Sequence, residues 1–404
     1  MNFESFNFHP SIMDGIRALG YTAPTPIQSQ SMQSIMQGHD LIGLAQTGTG
    51  KTAAFVLPIL QRLMEGPRKR VRALIISPTR ELTEQTCDAA SALGRHTGIK
   101  SAAIYGGVSM YQQVNRLRSG VEIVAACPGR LLDHLYKGTI DLSYLDVLVL
   151  DEADRMFDMG FLPDIRNILK CILHKCQTLL FSATMPKDVR RLVKEILHNP
   201  VTVQIGHIAP ADTVSHALYP VKQHLKTALL KQLLHGIESE SVLIFTRTKH
   251  RTKRVAEQLY KSGYNVTSIQ GNLSQSQRQA ALDGFRSGSF KILVATDIAA
   301  RGIDVQSISH VINYDMPETT DDYTHRIGRT GRINKNGDAY SFITSKDVGM
   351  VRALEKLFKK PIEQRTVKGF DYHAPEPERD QHRPPRQSRS RTFQKPYPKR
   401  KKLL

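Results

Sequence analysis

The sequence predicts an α/β protein of two parallel-sheet domains in tandem with a disordered basic C-terminal tail, and three observations carry that reading. Short apolar runs alternate with longer amphipathic stretches along most of the 404 residues, the pattern of βαβ units wound around parallel sheets. A glycine-rich turn, Ala45-Gln46-Thr47-Gly48-Thr49-Gly50-Lys51-Thr52, separates a strand-like Asp40–Leu44 from a helical pattern that runs from Ala53 to Met64. Farther along, Asp151-Glu152-Ala153-Asp154 stands directly behind the apolar run Leu145–Leu150, at the strand end where open α/β sheets place their ligands.

The strands of the first series are expected at Ala73–Ile76, Glu122–Ala125, Leu145–Leu150 and Thr178–Phe181, and those of the second at Ser241–Phe245, Lys291–Ala295 and His310–Asn313. Their continuous aliphatic character, without alternation, fits strands covered on both faces. Between the series, Gln204–Thr213 lacks periodicity and contains Gly and Pro, which marks a linker. The expected limits are therefore 1–205 for the first domain, 206–213 for the linker, 214–366 for the second domain and 367–404 for the tail. Past Phe370 the chain turns to Pro, Arg, Gln and Ser with almost no aliphatic residues and cannot bury enough surface to fold alone.

Charge points to a polyanionic partner. The net charge is +19, and residues 379–404 hold ten Lys and Arg against Asp380 alone, a net +9. The other residues keep +10, so the folded body is itself basic. No run approaches the roughly 18 apolar residues of a membrane helix. Met1–His9 carries neither a cation nor an apolar core of the secretory kind, so a cytoplasmic protein is expected. The four cysteines show no zinc-type spacing and read as reduced thiols.

The glycine-rich turn and the acidic run together describe a nucleotide-hydrolysing site. Glycines let backbone N–H groups close around phosphate oxygens, Lys51 reaches the β and γ phosphates, and the Thr52 hydroxyl can ligate Mg²⁺. Ala45 stands where the generic pattern has its first glycine. The second domain has no such loop. It carries the runs Asp297–Asp304 and His325–Arg332, rich in Arg and small residues. Charge runs are usually solvated faces, but arginines spaced by glycines leave room for a phosphate, and an arginine from a second domain can neutralise a phosphoryl-transfer transition state.

These residues resemble the DEAD-box ATP-dependent RNA helicases between residues 3 and 360. Asp151–Asp154 matches the motif that names the family. The others follow in family order: Pro78-Thr79-Arg80-Glu81-Leu82, Gly106-Gly107, Pro128-Gly129-Arg130, Ser182-Ala183-Thr184, Gln275–Arg278, Asp297–Asp304 and His325–Arg332. Gly20–Gln28 resembles the Q motif, with Phe3 as the upstream aromatic. The short N-terminus and basic tail are similar to the bacterial RhlE-like branch.

The resemblance implies two RecA-like domains, ATP and Mg²⁺ as cofactors, and RNA as the partner, held through its backbone without sequence preference. It implies that Tyr21 and Gln28 hold adenine, that Gln46, Thr47, Gly48, Thr49, Gly50, Lys51 and Thr52 hold phosphate, and that Asp304 accepts a ribose hydroxyl. Asp151 and Thr52 hold Mg²⁺, Glu152 orients and deprotonates water, and Arg329 and Arg332 reach the γ-phosphate. Asp154, Ser182, Thr184 and His325 form a relay between the nucleotide and RNA sites, although Ser182-Ala183-Thr184 by itself reads as a strand-end cap. Pro78, Thr79, Arg80, Gly107, Pro128, Gly129, Arg130, Arg247, Gly271, Thr296 and Asp297 contact RNA, although each Gly or Pro alone reads as a turn. Ribosomal precursors or decay machinery are possible partners. Departures are few: Cys127 where the family has Thr, Thr83 where Ala is frequent, and Gln270 where His is frequent. An ATP-gated RNA clamp with little unwinding is the alternative reading, and a DNA helicase a second.

Overall fold

The computed structural model describes residues 2–46, 48–205, 214–237, 241–297, 308–331 and 337–376. Thr47, Asp304, Arg332, the expected linker 206–213 and the tail from 377 lie outside the described residues. The described chain up to Phe370 belongs to one compact unit that holds two sheets, and Asp371–Glu376 belong to a separate C-terminal unit.

The first sheet is built from β1 (Leu41–Leu44), β2 (Ala73–Ile76), β3 (Ser101–Ile104), β4 (Ile123–Ala126), β5 (Val147–Leu150), β6 (Gln177–Ser182) and β7 (Val201–Gln204), in the order β3-β4-β2-β5-β6-β1-β7. Every pairing is parallel. β2, β4, β5 and β6 are buried along their whole length, which is why their sequences are aliphatic without alternation. Helices α1 (Pro10–Ala18), α2 (Pro26–Met36), α3 (Lys51–Leu63), α4 (Arg80–Leu93), α5 (Met110–Arg118), α6 (Pro128–Tyr136), α7 (Ala153–Asp158), α8 (Leu162–Lys170) and α9 (Lys187–Ile196) cover the faces. One core lies under α1–α3, where Phe55 meets Phe181 with ring centres 5.2 Å apart, and a second lies on the opposite face under α6–α9.

The second sheet contains β8 (Val214–Pro220), β9 (Val242–Phe245), β10 (Val266–Ile269), β11 (Ile292–Ala295), β12 (His310–Asn313), β13 (Gly337–Ile343) and β14 (Glu363–Gln364), in the order β10-β11-β9-β12-β13-β8-β14. Each strand number is that of the first sheet raised by seven, and the pairings are again parallel. The same winding is therefore used twice. Helices α10 (Lys226–Gly236), α11 (Lys249–Tyr260), α12 (Gln275–Arg286), α13 (Thr320–Ile327) and α14 (Val348–Phe358) flank it. Among the described residues no helix is long and apolar enough to cross a membrane. The four cysteines are free, with Cys87 and Cys127 buried.

Candidate functional site

The site is assembled where strand ends of both sheets converge. After β1 the chain turns through Gly48 and Gly50 at φ +85° and +92°, a backbone that L side chains adopt only under strain, and Gly50 caps α3. This leaves the N-terminus of α3, with its unsatisfied N–H groups and positive dipole end, facing the loop. Lys51 is buried and donates from Nζ to the Ala45 carbonyl at 2.8 Å, while Thr49 donates to the Gln46 carbonyl at 2.7 Å. Gln28 reaches the same loop. It accepts from the Thr25 N–H at 2.9 Å and donates from Nε2 to the Gly50 carbonyl at 3.1 Å, so its amide is tied to the glycine-rich loop. Tyr21 is exposed to 42% and stacks on Phe3 at 6.3 Å.

Asp151, Glu152 and Asp154 leave the end of β5 in three directions. Asp151 accepts from the Glu152 N–H at 3.0 Å, and burial pushes its carboxyl up to about 7 despite the opposing Lys51 charge. A buried carboxylate held at that value gains from a further cation, which fits a divalent ion shared with Thr52. Glu152 adopts φ 50°, ψ 51°, a left-handed conformation costing about 1 kcal/mol or more. Burial raises the Glu152 carboxyl, but Arg155 at 3.4 Å, Lys51 and Arg329 outweigh it and hold the group below its ordinary value, ionised.

Asp154 gathers the end of β6 through four hydrogen bonds. Its Oδ2 accepts from the N–H groups of Ala183 (3.2 Å) and Thr184 (2.8 Å) and from the Thr184 hydroxyl (2.9 Å), and its own N–H donates to Ser182 Oγ at 3.1 Å. From the second sheet, α13 brings His325, whose imidazole is pushed down to about 4 by burial and by Arg155 against the pull of Asp154. Arg155, Phe245, Asp297, Asp322, His325, Arg326 and Arg329 line a narrow, open cleft of only about 20 Å³. The structure therefore brings together Lys51, Asp151, Glu152, Asp154, Ser182, Thr184, His325 and Arg329.

The candidate RNA residues occupy loops at the same strand ends. Thr79 caps α4 by accepting from the Leu82 N–H at 3.3 Å, and the Arg80 guanidinium packs against Gly107, whose φ of +87° strains any other residue. Pro128 opens α6, and Gly129 faces open space. Arg130 turns inward, donating to the Val108 carbonyl at 3.1 Å and lying 3.3 Å from Asp133. Two of the departures from the family pattern touch: Thr83 Oγ1 lies 3.3 Å from Cys127 Sγ, and Thr83 also donates to the Thr79 carbonyl at 2.9 Å. The Cys127 thiol, pushed up to about 11 by burial, stays uncharged. In the second sheet Arg247 and Gly271 are exposed, Thr296 is half-buried, and Asp297 accepts both Nε and Nη2 of Arg326 at 2.5 and 2.7 Å.

Sequence reasoning missed Arg155, which sits between Glu152 and His325. It also gave no role to Gln113, whose oxygen lies 3.4 Å from Arg130 and 3.1 Å from His134, or to Asp315. Asp315 was findable, since it follows an apolar strand as Asp151 does.

A DEAD/DEAH box helicase family model matches residues 25–192, and a helicase conserved C-terminal domain model matches 225–334. The chain is 42% identical over 370 residues to the ATP-dependent RNA helicase RhlB of Pseudomonas aeruginosa, covering 89% of this chain and 93% of that one. It belongs to the DEAD-box helicases. This DEAD-box chain is also 41% identical to the ATP-dependent RNA helicase DeaD of Mycobacterium tuberculosis, covering 89% of itself but 64% of that longer protein. The comparisons thus identify the DEAD-box family without singling out one bacterial branch. Saccharomyces cerevisiae Dbp5 bound to RNA and ADP-BeF3 superimposes with a TM-score of 0.81 at 29% identity, over 90% of this chain and 95% of that one. The fold is accordingly two RecA-like domains in tandem.

Proposed function

We propose that the protein is an ATP-dependent RNA helicase that couples RNA-stimulated ATP hydrolysis to local duplex unwinding and remodelling of RNA–protein complexes. The observation that carries this is a cleft walled by both domains, where Arg155 of the first lines the same space as His325 and Arg329 of the second. A hydrolytic base and a transition-state cation supplied by different domains form a complete site only when the domains meet.

In this reading ATP lies on the loop Gln46–Thr52 with its γ-phosphate at Lys51, and its base lies between Tyr21 and Gln28. Thr52 and Asp151 would hold Mg²⁺, which would supply neutralising charge to the phosphates. Glu152, ionised, orients the attacking water and takes its proton. Arg329, with Arg332, stabilises the charge that develops on the γ-phosphate, and Asp304 accepts from the ribose. Asp154, Ser182, Thr184 and His325 link these groups to the RNA loops, where Pro78, Thr79, Arg80, Gly107, Pro128, Gly129, Arg130, Arg247, Gly271, Thr296 and Asp297 face phosphates and 2′-hydroxyls. Such contacts position a strand without reading its bases. The domain limits 1–205, 206–213, 214–366 and 367–404 belong to the same proposal, as do ribosomal precursors or decay complexes as targets and a cytoplasmic site of action. Support for the limits comes from the family matches, which fall inside the two domains.

The test is displacement of one strand from a short RNA duplex in the presence of ATP, with RNA and single-stranded DNA compared as stimulators of the ATPase. Helicase action requires displacement and stimulation by RNA over DNA. Stimulation without displacement would leave an ATP-gated clamp, and equal stimulation by DNA would make RNA the wrong partner.

A further inference from the structure

The two sheets share one winding, so each loop of the first has a counterpart in the second, and the counterpart of the phosphate site is not blank. Lys51 is the first residue of α3, after β1; Lys226 is the first residue of α10, which follows β8, the equivalent strand. Asp151 follows β5; Asp315 follows Asn313, the last residue of the equivalent β12, by two positions. The cation and the carboxylate of the first site therefore recur at the equivalent strand ends, the carboxylate one position later. The loop between strand and helix does not: Val221–Leu225 contains no glycine and offers no phosphate cradle.

In the second domain the two groups close on each other. Lys226 Nζ lies 3.4 Å from Asp315 Oδ1 and donates to the Tyr314 carbonyl at 2.8 Å, with both side chains almost fully buried. The remaining acceptor capacity of Asp315 is spent on functional neighbours. Oδ2 accepts from the Arg247 N–H at 3.0 Å, Oδ1 accepts from Arg251 at 2.7 Å, and the backbone carbonyl accepts from Arg326 Nη1 at 2.6 Å. Arg247 stands in the proposed RNA path. Arg326 grips Asp297, on that same path, and lies three residues before Arg329.

We infer that Asp315 is a positioning residue, the second domain's counterpart of Asp151, whose carboxylate fixes the RNA loop after β9 and whose carbonyl, through Arg326, fixes the end of the helix that stops just before Arg329. A site built for phosphate has become an internal strut, with Lys226 in the place of the phosphate-binding lysine as its counter-charge. This rests on the proposed RNA-dependent ATPase and adds a route between RNA contact and hydrolysis that lies wholly inside the second domain.

The experiment compares wild type, Asp315→Asn, Lys226→Met and the double variant in thermal stability, in the RNA concentration giving half-maximal ATPase, and in KM for ATP. Asn presents an amide N–H₂ to Arg251 and Lys226, so the single oxygen left cannot hold both sides. Asp315→Asn should lower stability and raise the half-saturating RNA concentration about tenfold, the scale on which supporting partners of functional side chains act, with KM for ATP unchanged. The double variant removes the uncompensated buried cation and should regain stability while the RNA defect persists. Lys226→Met, which leaves Arg247 and Arg251 on the carboxylate, should keep RNA half-saturation near wild type. The inference is overturned if RNA half-saturation returns together with stability in the double variant, or if Lys226→Met shifts it as much as Asp315→Asn does. A wild type without RNA stimulation would instead remove the functional reading beneath it.

Discussion

Glu81, in the first turn of α4, accepts Nε and Nη2 of Arg278 from α12 at 2.8 and 2.6 Å, and this nearly enclosed ion pair ties the two sheets beside the RNA loops. Both nitrogens reach a single carboxylate oxygen, Oε1, in charge-assisted contacts, the stronger kind of polar contact. Gln275, one turn earlier on α12, lies against Glu84, whose carboxyl is raised by burial.

Removing the Arg278 guanidinium should weaken the joined arrangement of the domains by about 2 kcal/mol, roughly thirtyfold, because Glu81 keeps its burial and loses its partner. Arg278→Ala should therefore raise the RNA requirement of the ATPase while leaving each domain folded. Titrating ATPase against RNA checks this, and an unchanged midpoint would mean that the pair does not form in the working state.

Glu152 and Lys51 separate binding from chemistry. Glu152→Gln keeps size and hydrogen bonding but removes the proton acceptor, so ATP binding should persist, turnover should fall, and RNA should dissociate more slowly in ATP. Lys51→Ala should abolish hydrolysis with the melting temperature retained. RNA dissociation rates in ATP for Glu152→Gln provide the check, with faster release the contrary result.

His325 makes the joined fold acid-sensitive. Its folded value, about 4, lies below the usual value for histidine, so between about 6.5 and 4 the unfolded chain takes up a proton that the fold refuses. The neutral imidazole costs nothing above 6.5, and stability should fall as pH drops through that window, by up to roughly 3 kcal/mol. Melting temperatures from pH 7 to 5 should drop more steeply in wild type than in His325→Gln; parallel curves would remove His325 as the cause.

The tail acts through charge alone in this account. Truncation after Phe370 should leave RNA-stimulated ATPase in place but weaken RNA binding, and the slope of log affinity against log salt should become shallower by roughly 0.7 for each phosphate that the tail no longer neutralises. Full-length and truncated proteins measured across a salt series decide it, with identical slopes excluding a tethering role.

Much of this architecture was legible in the chain because strands covered on both faces leave continuous aliphatic runs. Leu145–Leu150 and Ser241–Phe245 announced β5 and β9 within a residue or two. The carboxylates after β5 and the glycines before Lys51 were legible because phosphate chemistry restricts which residues can stand there. Pairings between distant segments were not. Nothing local in Thr83 and Cys127 says that they touch, and nothing in Asp315 alone reveals Lys226 beneath it, since both contacts arise from sheet order rather than spacing. Arg130 adds a contact that its motif did not foretell, a hydrogen bond from its guanidinium to the Val108 carbonyl.

The central claim is that Arg329 completes the ATP site of the first domain when RNA is held, and steady-state turnover of wild type and Arg329→Ala with and without single-stranded RNA tests it most directly. Wild type should be strongly stimulated by RNA, and Arg329→Ala should lose about 10³ of the stimulated rate with ATP affinity in the RNA-free protein little changed. Turnover in wild type that is the same with and without RNA, or an Arg329→Ala protein that hydrolyses ATP at the stimulated wild-type rate, would contradict it.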